Sequence, residues 1–377
     1  MITKVSEKFA ELYGAGAKLF KSPGRINLIG EHTDYNGGFV FPGAIDKGIV
    51  AAIRPANEPR VKAYSLDLDE EAVFGLNEED APEQSWARYI FGVCREIQKR
   101  GGVIGGFDTV FAGDVPLGAG LSSSAALEST FANALNLLYN CGLDKFELAR
   151  VGQSTEHNYC GVKCGIMDQF ASVFGKEGHL MRLDCRSMEY HYFPFAPEKH
   201  GYRLVLLNSC VKHELVGSPY NDRRNSCERV AAVLGQEFLR GATMEQLEAI
   251  KDRISEEDYM RARYVIGEEQ RVMDVCEALE KDDYETVGER MYATHWGLSR
   301  DYEVSCEELD FLVEVAQECG VTGSRIMGGG FGGCTINLVR EADYEGFIAR
   351  AVEAFTAKYG HAPKVYPVVI SQGASAL

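Results

Sequence analysis

The sequence predicts an α+β fold in two layers, and three observations carry that expectation. Helix-like, strand-like and turn-like segments alternate without the strict repeat of a βαβ chain. The length of 377 residues suits two domains or one large one, and 45% hydrophobic with 25% charged residues suits a packed core rather than disorder. Glycine is in excess, with 40 residues, or about 11% against a usual ~7%. That excess calls for tight turns and close backbone approach, as in loops that bind phosphate.

Taken in order, mixed strands and glycine-rich turns are expected up to about Ala81. An amphipathic helix follows from near Ser85 to Arg100 and stops at Gly101 and Gly102. A strand over 107–111 enters the turn at 113–116, and residues 118–124 then lead into an apolar helical run over 125–139. Asp144 reads as the N-cap of the next helix, which extends to roughly Tyr159. A strand over 202–207, a mostly helical stretch over 221–316, a glycine-rich turn at 328–333 and a strand over 335–339 complete the pattern. The periodicity changes near Pro197, which places a soft boundary between residues 1–196 and 197–377. No internal repeat, low-complexity segment or Pro/Ser-rich linker is visible.

Charge and cysteine usage exclude several classes. The chain has 39 basic and 56 acidic residues, a net charge of −17. A duplex binder presents a basic face, so nucleic acid is not the expected partner. No basic segment followed by an apolar one opens the chain, and no apolar run approaches the ~20 residues that span a bilayer. A cytosolic protein with no membrane partner is therefore expected. The eleven cysteines are odd in number and without pattern, so they read as reduced thiols. Cys160 and Cys164 have no second Cys/His pair at zinc spacing and read as small buried hydrophobes.

Three segments carry chemistry. SPGRINLIGEHTDYNGG (residues 22–38) sets Arg25, Asn27, Glu31, His32, Asp34 and Asn36 among apolar Ile26, Leu28 and Ile29. Polar groups buried by such neighbours need partners, and a polyhydroxylated ligand supplies many. PLGAGLSSSAA (116–126) leads glycines and serines straight into a helix, which offers backbone N–H groups and a positive helix end to phosphate. It lacks the Gly-Lys-Ser/Thr of a Walker loop and the third glycine of a dinucleotide fingerprint. A plain glycine turn with serine caps has the same composition. GGGFGGC (328–334) holds five glycines in seven positions, which implies close approach to chain or ligand.

In order and wording, these segments resemble the GHMP family of small-molecule kinases, and GRINLIGEHTDY (24–35) is similar to the signature of its galactokinase branch. The resemblance continues through WARY (86–89), GIMDQ (165–169), NS (208–209), SPYNDRR (218–224) and DYEVSC (301–306), covering nearly the whole chain. It implies an N-terminal α/β domain like part of ribosomal protein S5, a ferredoxin-like C-terminal domain, and an active site between them. It implies Mg-ATP-dependent phosphorylation of α-D-galactose at the C1 hydroxyl. N-acetylgalactosamine kinase and a non-catalytic sugar- and ATP-binding regulator are the alternatives within the same resemblance.

Residue by residue, the resemblance implies Asp168 as catalytic acid–base and Arg25 as its partner. A guanidinium beside a carboxylate favours the charged form, and it offsets charge on a reacting hydroxyl. The sugar is expected against Glu31, His32, Thr33, Asp34, Gly165 and Tyr220. ATP phosphates are expected on Gly118, Ala119, Gly120, Leu121, Ser122, Ser123 and Ser124, with Trp86 and Tyr89 near the adenine and Ser65 as a weaker nucleotide contact. Mg²⁺ is expected on Ser124 and Glu156, two hard oxygens completed by phosphates and water. Blander readings stand beside these. Trp86 and Tyr89 have the spacing of a core-facing helix stripe, Glu156 that of an exposed paired carboxylate, and Asp67 to Glu71 that of a solvated loop. No partner chain is implied, and a monomer is the expected state.

Overall fold

The computed structural model describes residues 1–116, 119–211 and 218–377 of the chain, the side chain of Ser218 excepted. Its first layer is a six-stranded sheet with strands ordered Ser375–Ala376, Lys18–Asn27, Pro42–Pro55, Phe107–Gly113, Arg60–Ser65 and Glu70–Gly75. All neighbours are antiparallel except Arg60–Ser65 and Phe107–Gly113. The central strand Pro42–Pro55 contains an almost unbroken apolar run, as a strand covered on both faces should. Helices Ser85–Lys99 and Ser123–Tyr139 belong to the main core on one side. On the other side Val5 and Phe9 of helix Ile2–Tyr13 pack on Val50, Ala52, Val110 and Ala112.

That first helix corrects the expectation of strands and turns before Ala81. Only Val5 and Phe9 are buried in its twelve residues, too few for the period to stand out among lysines and glutamates. The acidic stretch 67–71 is exposed, as expected of a solvated loop, and it also supplies acceptors. Asp67 Oδ2 accepts the Gly113 N–H at 2.7 Å, Glu70 begins the strand Glu70–Gly75, and its carboxylate accepts the Trp86 indole N–H at 2.9 Å. These acids thus act as acceptors from the edge of a solvated turn over 66–69. The expected cap at Asp144 is present as a full capping box with Glu147. Its helix runs Lys145–Thr155 and then widens into a π-turn over Glu156–Cys160, a device frequent at functional sites.

The second layer is a four-stranded antiparallel sheet ordered Gly323–Ile326, Cys334–Arg340, Tyr202–Asn208 and Lys364–Pro367. Helices Glu307–Glu318 and Tyr344–Tyr359 share a core with it, built on Val205, Leu207, Val339, Phe347 and Phe355. A three-stranded sheet, Phe39–Val40 with His179–Asp184 and Tyr190–Pro194, is hydrogen-bonded separately and packs on the main core through Leu180, Leu183 and Phe193. The chain's last residues return to the first layer, where Ser375 and Ala376 pair with Lys21 and Phe20, and Ile370 bridges Ile45. All eleven cysteines are unpaired, and Cys94, Cys227, Cys276 and Cys334 are buried. Among the described residues, no helix is long and apolar enough to cross a membrane.

Two buried charges bind the loop after Lys18–Asn27 to the second half of the chain. Arg325, fully buried, donates from Nε to Leu28 O at 2.9 Å, from Nη1 to Ile326 O at 2.7 Å, and from Nη2 to Asn27 O and to Glu31 Oε1 at 2.9 Å. Glu268, also fully buried, accepts from the N–H groups of Gly30 (2.8 Å) and Glu31 (3.3 Å), from Arg271 Nε (2.6 Å) and from Thr294 Oγ1 (2.8 Å). A buried charge is tolerated when paired and hydrogen-bonded in this way. Replacing Arg325 by Leu leaves the Glu31 carboxylate buried without its cation. Urea unfolding of the ligand-free variant at neutral pH is expected to show a loss of about 3–5 kcal/mol. A loss within the error of the extrapolation would show the clamp to be redundant.

Candidate active site

The elements of both halves converge on a cavity of about 270 Å³. At its floor Arg25 Nε donates to Asp168 Oδ1 at 2.8 Å, while Arg25 Nη1 donates to the Gly120 carbonyl and Ser122 Oγ to Asp168 Oδ2. Arg25 is placed by a bulge in strand Lys18–Asn27, where the register shifts between Pro23 and Arg25. Gly24 lets the next loop sit directly on that strand: a Cβ there would stand 2.6 Å from the Leu121 carbonyl oxygen. Asp168 lies in the first turn of helix Met167–Phe174.

Helix Ser123–Tyr139 starts beside this pair. Its N-cap residue Ser122 is left-handed, with φ of 58°, and makes no side-chain capping bond, because its hydroxyl is turned to Asp168. The opening N–H groups of the helix have no partner within the helix, and the serines at this end line the cavity. Gly120, at φ of 74°, brings this loop against the third glycine segment, where a Cβ would lie 3.0 Å from Met327 O. The close approach expected of residues 328–334 is therefore made partly to the chain itself. At Gly330 a Cβ would meet Val304 O at 2.2 Å.

Opposite the phosphate-like loop stand Glu31, His32, Asp34, Gly165 and Tyr220. Glu31 Oε1 takes Arg325 and the Gly328 N–H at 3.1 Å, which leaves Oε2 for the cavity. Burial pushes the Asp34 carboxyl up to about 7, and the charges of Asp168 and Glu31 add to that. Gly165 has no room for a side chain, since a Cβ would stand 1.8 Å from Asp34 Oδ2. Burial holds His32 down to about 3, so the imidazole is neutral. At the far wall, burial raises Glu156 to about 7 despite a hydrogen bond with Ser124, and the Asp168 charge contributes.

Most of the residues expected from the sequence meet here, and some do not. Arg25, Glu31, His32, Asp34, Tyr89, Gly120, Leu121, Ser122, Ser123, Ser124, Glu156, Gly165, Asp168 and Tyr220 line the cavity. Thr33 is buried behind it, its hydroxyl bonded to the carbonyls of Gly30 (3.0 Å) and Phe39 (2.6 Å). Ala119 is fully buried, Ser65 is buried in its strand, and Gly118 lies outside the described residues. Trp86 does not reach the cavity. It packs on Phe111 with ring centroids 5.3 Å apart and bonds Glu70, as the core-stripe reading has it. Tyr89 parts from it and comes under the charge of Glu156, which with burial raises its phenol well above the ordinary value.

Sequence reading missed Glu128, Glu268, Arg325 and Tyr302. Glu128 is fully buried, accepts from Gln169 Nε2 at 3.1 Å through Oε2, and shares a carboxyl–carboxylate hydrogen bond with Glu156. Its carboxyl is pushed well up by burial and by Glu156. The available signal was its place in an apolar helical run four residues after Ser124, hence on the same face.

Comparison with known proteins fits this geometry. Residues 88–176 match the model of the GHMP kinases N terminal domain and residues 276–358 that of the GHMP kinases C terminal domain. The mevalonate kinase of Methanococcus jannaschii shares the fold, with a TM-score of 0.67 at 18% identity over 95% of this chain and 99% of that one. Fold and paired domains thus define a GHMP-type kinase. Residues 7–55 match the galactokinase galactose-binding signature. The galactokinase of Streptomyces coelicolor is 40% identical over 99% of this chain and 98% of its own, and that of Roseiflexus sp. 38% over 98% and 96%. The crystal structure of Lactococcus lactis galactokinase complexed with galactose superposes with a TM-score of 0.95 at 35% identity, covering all of both chains. The chain belongs to the galactokinase family.

The raised Asp34 carboxyl has a consequence for stability. The folded, ligand-free protein holds the Asp34 proton up to about pH 7, whereas the unfolded chain releases it near 3.8. Stability is therefore lost as pH rises from about 4 to 7. Asp34 is half-buried in the ligand-free cavity, so solvent screening tempers the effect to roughly 1–3 kcal/mol. Asp34→Asn is expected to flatten that part of the stability–pH curve, measured by denaturant titration at several pH values. Parallel curves for the two proteins would exclude Asp34 as a source of the slope.

Proposed function

We propose that the chain transfers the γ-phosphoryl group of ATP to the C1 hydroxyl of α-D-galactose, releasing galactose 1-phosphate and ADP. The observation that carries this reading is the Arg25–Asp168 pair at 2.8 Å, set where a helix N-terminus faces a wall of carboxylates and aromatic hydroxyls. A phosphate fits the first surface and a sugar the second, and their reacting atoms would meet at Asp168.

In this mechanism Asp168 takes the proton of the C1 hydroxyl as that oxygen attacks phosphorus. Oδ1 is oriented by Arg25. Oδ2, though it accepts from Ser122, keeps an acceptor site for the incoming proton. Arg25 offsets the charge that develops between sugar oxygen and phosphate. Backbone N–H groups over 120–124 and the end of helix Ser123–Tyr139 hold the triphosphate in line. Glu31, His32, Asp34, Gly165 and Tyr220 surround the sugar, with Thr33 bracing the loop from behind. Of the aromatic pair only Tyr89 is kept as a nucleotide contact, and Ser65 and Trp86 are not carried forward.

The wall at Ser124 and Glu156 fits a magnesium ion. Its donors are hard oxygens, and the buried Glu128 and Glu156 carboxyls, both shifted up and hydrogen-bonded to each other, are groups that an adjacent cation would help to ionise. Ser124 and Glu156 would hold Mg²⁺, which would supply positive charge to offset that of the phosphate oxygens.

A coupled ADP-release assay with galactose, N-acetylgalactosamine and glucose tests the reading. Galactose is expected to be turned over with the highest kcat/KM. Preference for N-acetylgalactosamine would move the assignment to the related kinase, and no turnover of any sugar would favour a regulator. Asp168→Asn is expected to lower kcat by about 10²- to 10⁴-fold, while calorimetry finds galactose binding within a few-fold of wild type. Turnover near wild type would remove Asp168 from the chemistry.

A further inference from the structure

The mechanism leaves a line of buried hydroxyls behind the sugar wall without a task. His32 Nδ1 lies 2.7 Å from Tyr35 OH, that oxygen lies 2.7 Å from Tyr302 OH, and Tyr302 OH lies 3.3 Å from Cys227 Sγ. On its other side His32 Nε2 is 3.2 Å from the carbonyl oxygen of Gly329. His32, Tyr35, Tyr302 and Cys227 are all buried. Their bonds join the loop after Lys18–Asn27 to helix Ser218–Leu234, to the segment after helix Tyr284–Arg300 and to the glycine turn.

The direction of every bond is forced. A carbonyl only accepts, so His32 Nε2 carries the proton. A neutral imidazole then has a bare Nδ1, and Tyr35 must donate to it. Tyr35 must in turn accept from Tyr302, and Tyr302 from the Cys227 thiol. The chain ends at a carbonyl, so it conducts no proton to the cavity. It works as a brace.

What it braces is in an unfavourable backbone state. His32 has a φ of 61°, a left-handed conformation that non-glycine residues seldom adopt and that persists only when surroundings impose it. Glu31 and Asp34 flank it on the cavity wall, and the Asn36 side chain donates to its carbonyl at 2.8 Å. The imidazole also packs against the cavity residue Tyr220, ring centroids 5.5 Å apart, and against Tyr302 at 4.9 Å. A rotated imidazole would break the Gly329 bond and change the surface that Tyr220 rests on.

We infer that Tyr35 and Tyr302 are positioning residues for the sugar, acting through the one-directional chain Cys227–Tyr302–Tyr35–His32–Gly329 to hold His32 as its Nε2–H tautomer in the left-handed turn that presents Glu31 and Asp34 and backs Tyr220. The role in sugar binding rests on the galactokinase reading above; the direction of the chain does not. The nucleotide loop shares none of these bonds.

Two measurements test it. In wild-type protein, long-range ¹H–¹⁵N spectra of labelled histidines, with His32 assigned by His32→Asn, are expected to show a bare Nδ1 and a protonated Nε2 across pH 6–8. A protonated Nδ1 overturns the chain. In the ADP-release assay, Tyr35→Phe is expected to raise the galactose KM by about 5- to 30-fold, the loss expected when a buried acceptor is left unsatisfied, with kcat and the ATP KM changed less than about twofold. Tyr302→Phe should act in the same direction more weakly. The double variant should match Tyr35→Phe alone, because Tyr302 acts only through Tyr35. Equal losses in kcat and both KM values, or additive effects, overturn the positioning role. Should wild type fail to use galactose while the tautomer is as expected, the functional reading fails and the chain stands.

Discussion

The Arg325 guanidinium is the constraint on which the site depends. It lies in the second sheet, yet it bonds two carbonyls at the end of the first sheet's strand Lys18–Asn27 and the carboxylate of Glu31. Glu268 answers it from the helix Glu256–Glu280, taking the N–H groups of Gly30 and Glu31. One short loop thus has its carbonyls, amides and acidic side chain satisfied by charges from the other half of the chain. No bulk solvent reaches these groups, and hydrogen bonds in such an enclosure are both stronger and costlier to lose. A loop held in this way can carry Glu31, His32 and Asp34 toward a ligand with little freedom left to remove on binding.

The Arg25–Asp168 pair is held by a related arrangement. Ser122 stands where a serine ordinarily caps the helix, and the local sequence suits that role. Here the hydroxyl bonds Asp168 instead, which orients the carboxylate and leaves the helix end open. Arg25 closes the triangle by reaching both Asp168 and the Gly120 carbonyl, so the loop and the carboxylate share one cation. Local stability is given up at the cap where a ligand's charge would restore it.

Those particulars explain what could be read in the sequence. The polar residues over 25–36 announced a site because they sit in apolar company, and the helix over 123–139 was visible from its apolar run. Asp144 and Glu147 declared their cap by spacing alone. Arg325 did not declare itself, because its meaning lies in three partners almost 300 positions away. Glu268 is one acid among many in a 25-residue helix, and nothing local sets it apart. Trp86 and Tyr89 show the limit from the other side. Spacing puts both on one helix face, but only the packing of Trp86 against Phe111 and Glu70 decides which of them reaches the cavity.

The glycine excess has the same origin. Composition suggested loops that approach phosphate, and the loop over 120–124 fits that idea. Yet several of the tightest glycines are tight against protein. A side chain at 24 would strike the Leu121 carbonyl, one at 165 the Asp34 carboxylate, and one at 330 the Val304 carbonyl. In each case the obstacle is a main-chain oxygen or a fixed acid from another segment, which cannot give way as the end of a flexible side chain can. A cleft assembled from two halves must let backbones touch where it narrows, and only a residue without Cβ allows that. The site's shape is set by these contacts before any ligand enters, and the carboxylates at Asp34 and Glu156, pushed up by burial, measure what that enclosure costs. A ligand that supplied hydroxyl donors to one and positive charge to the other would offset part of that cost in both.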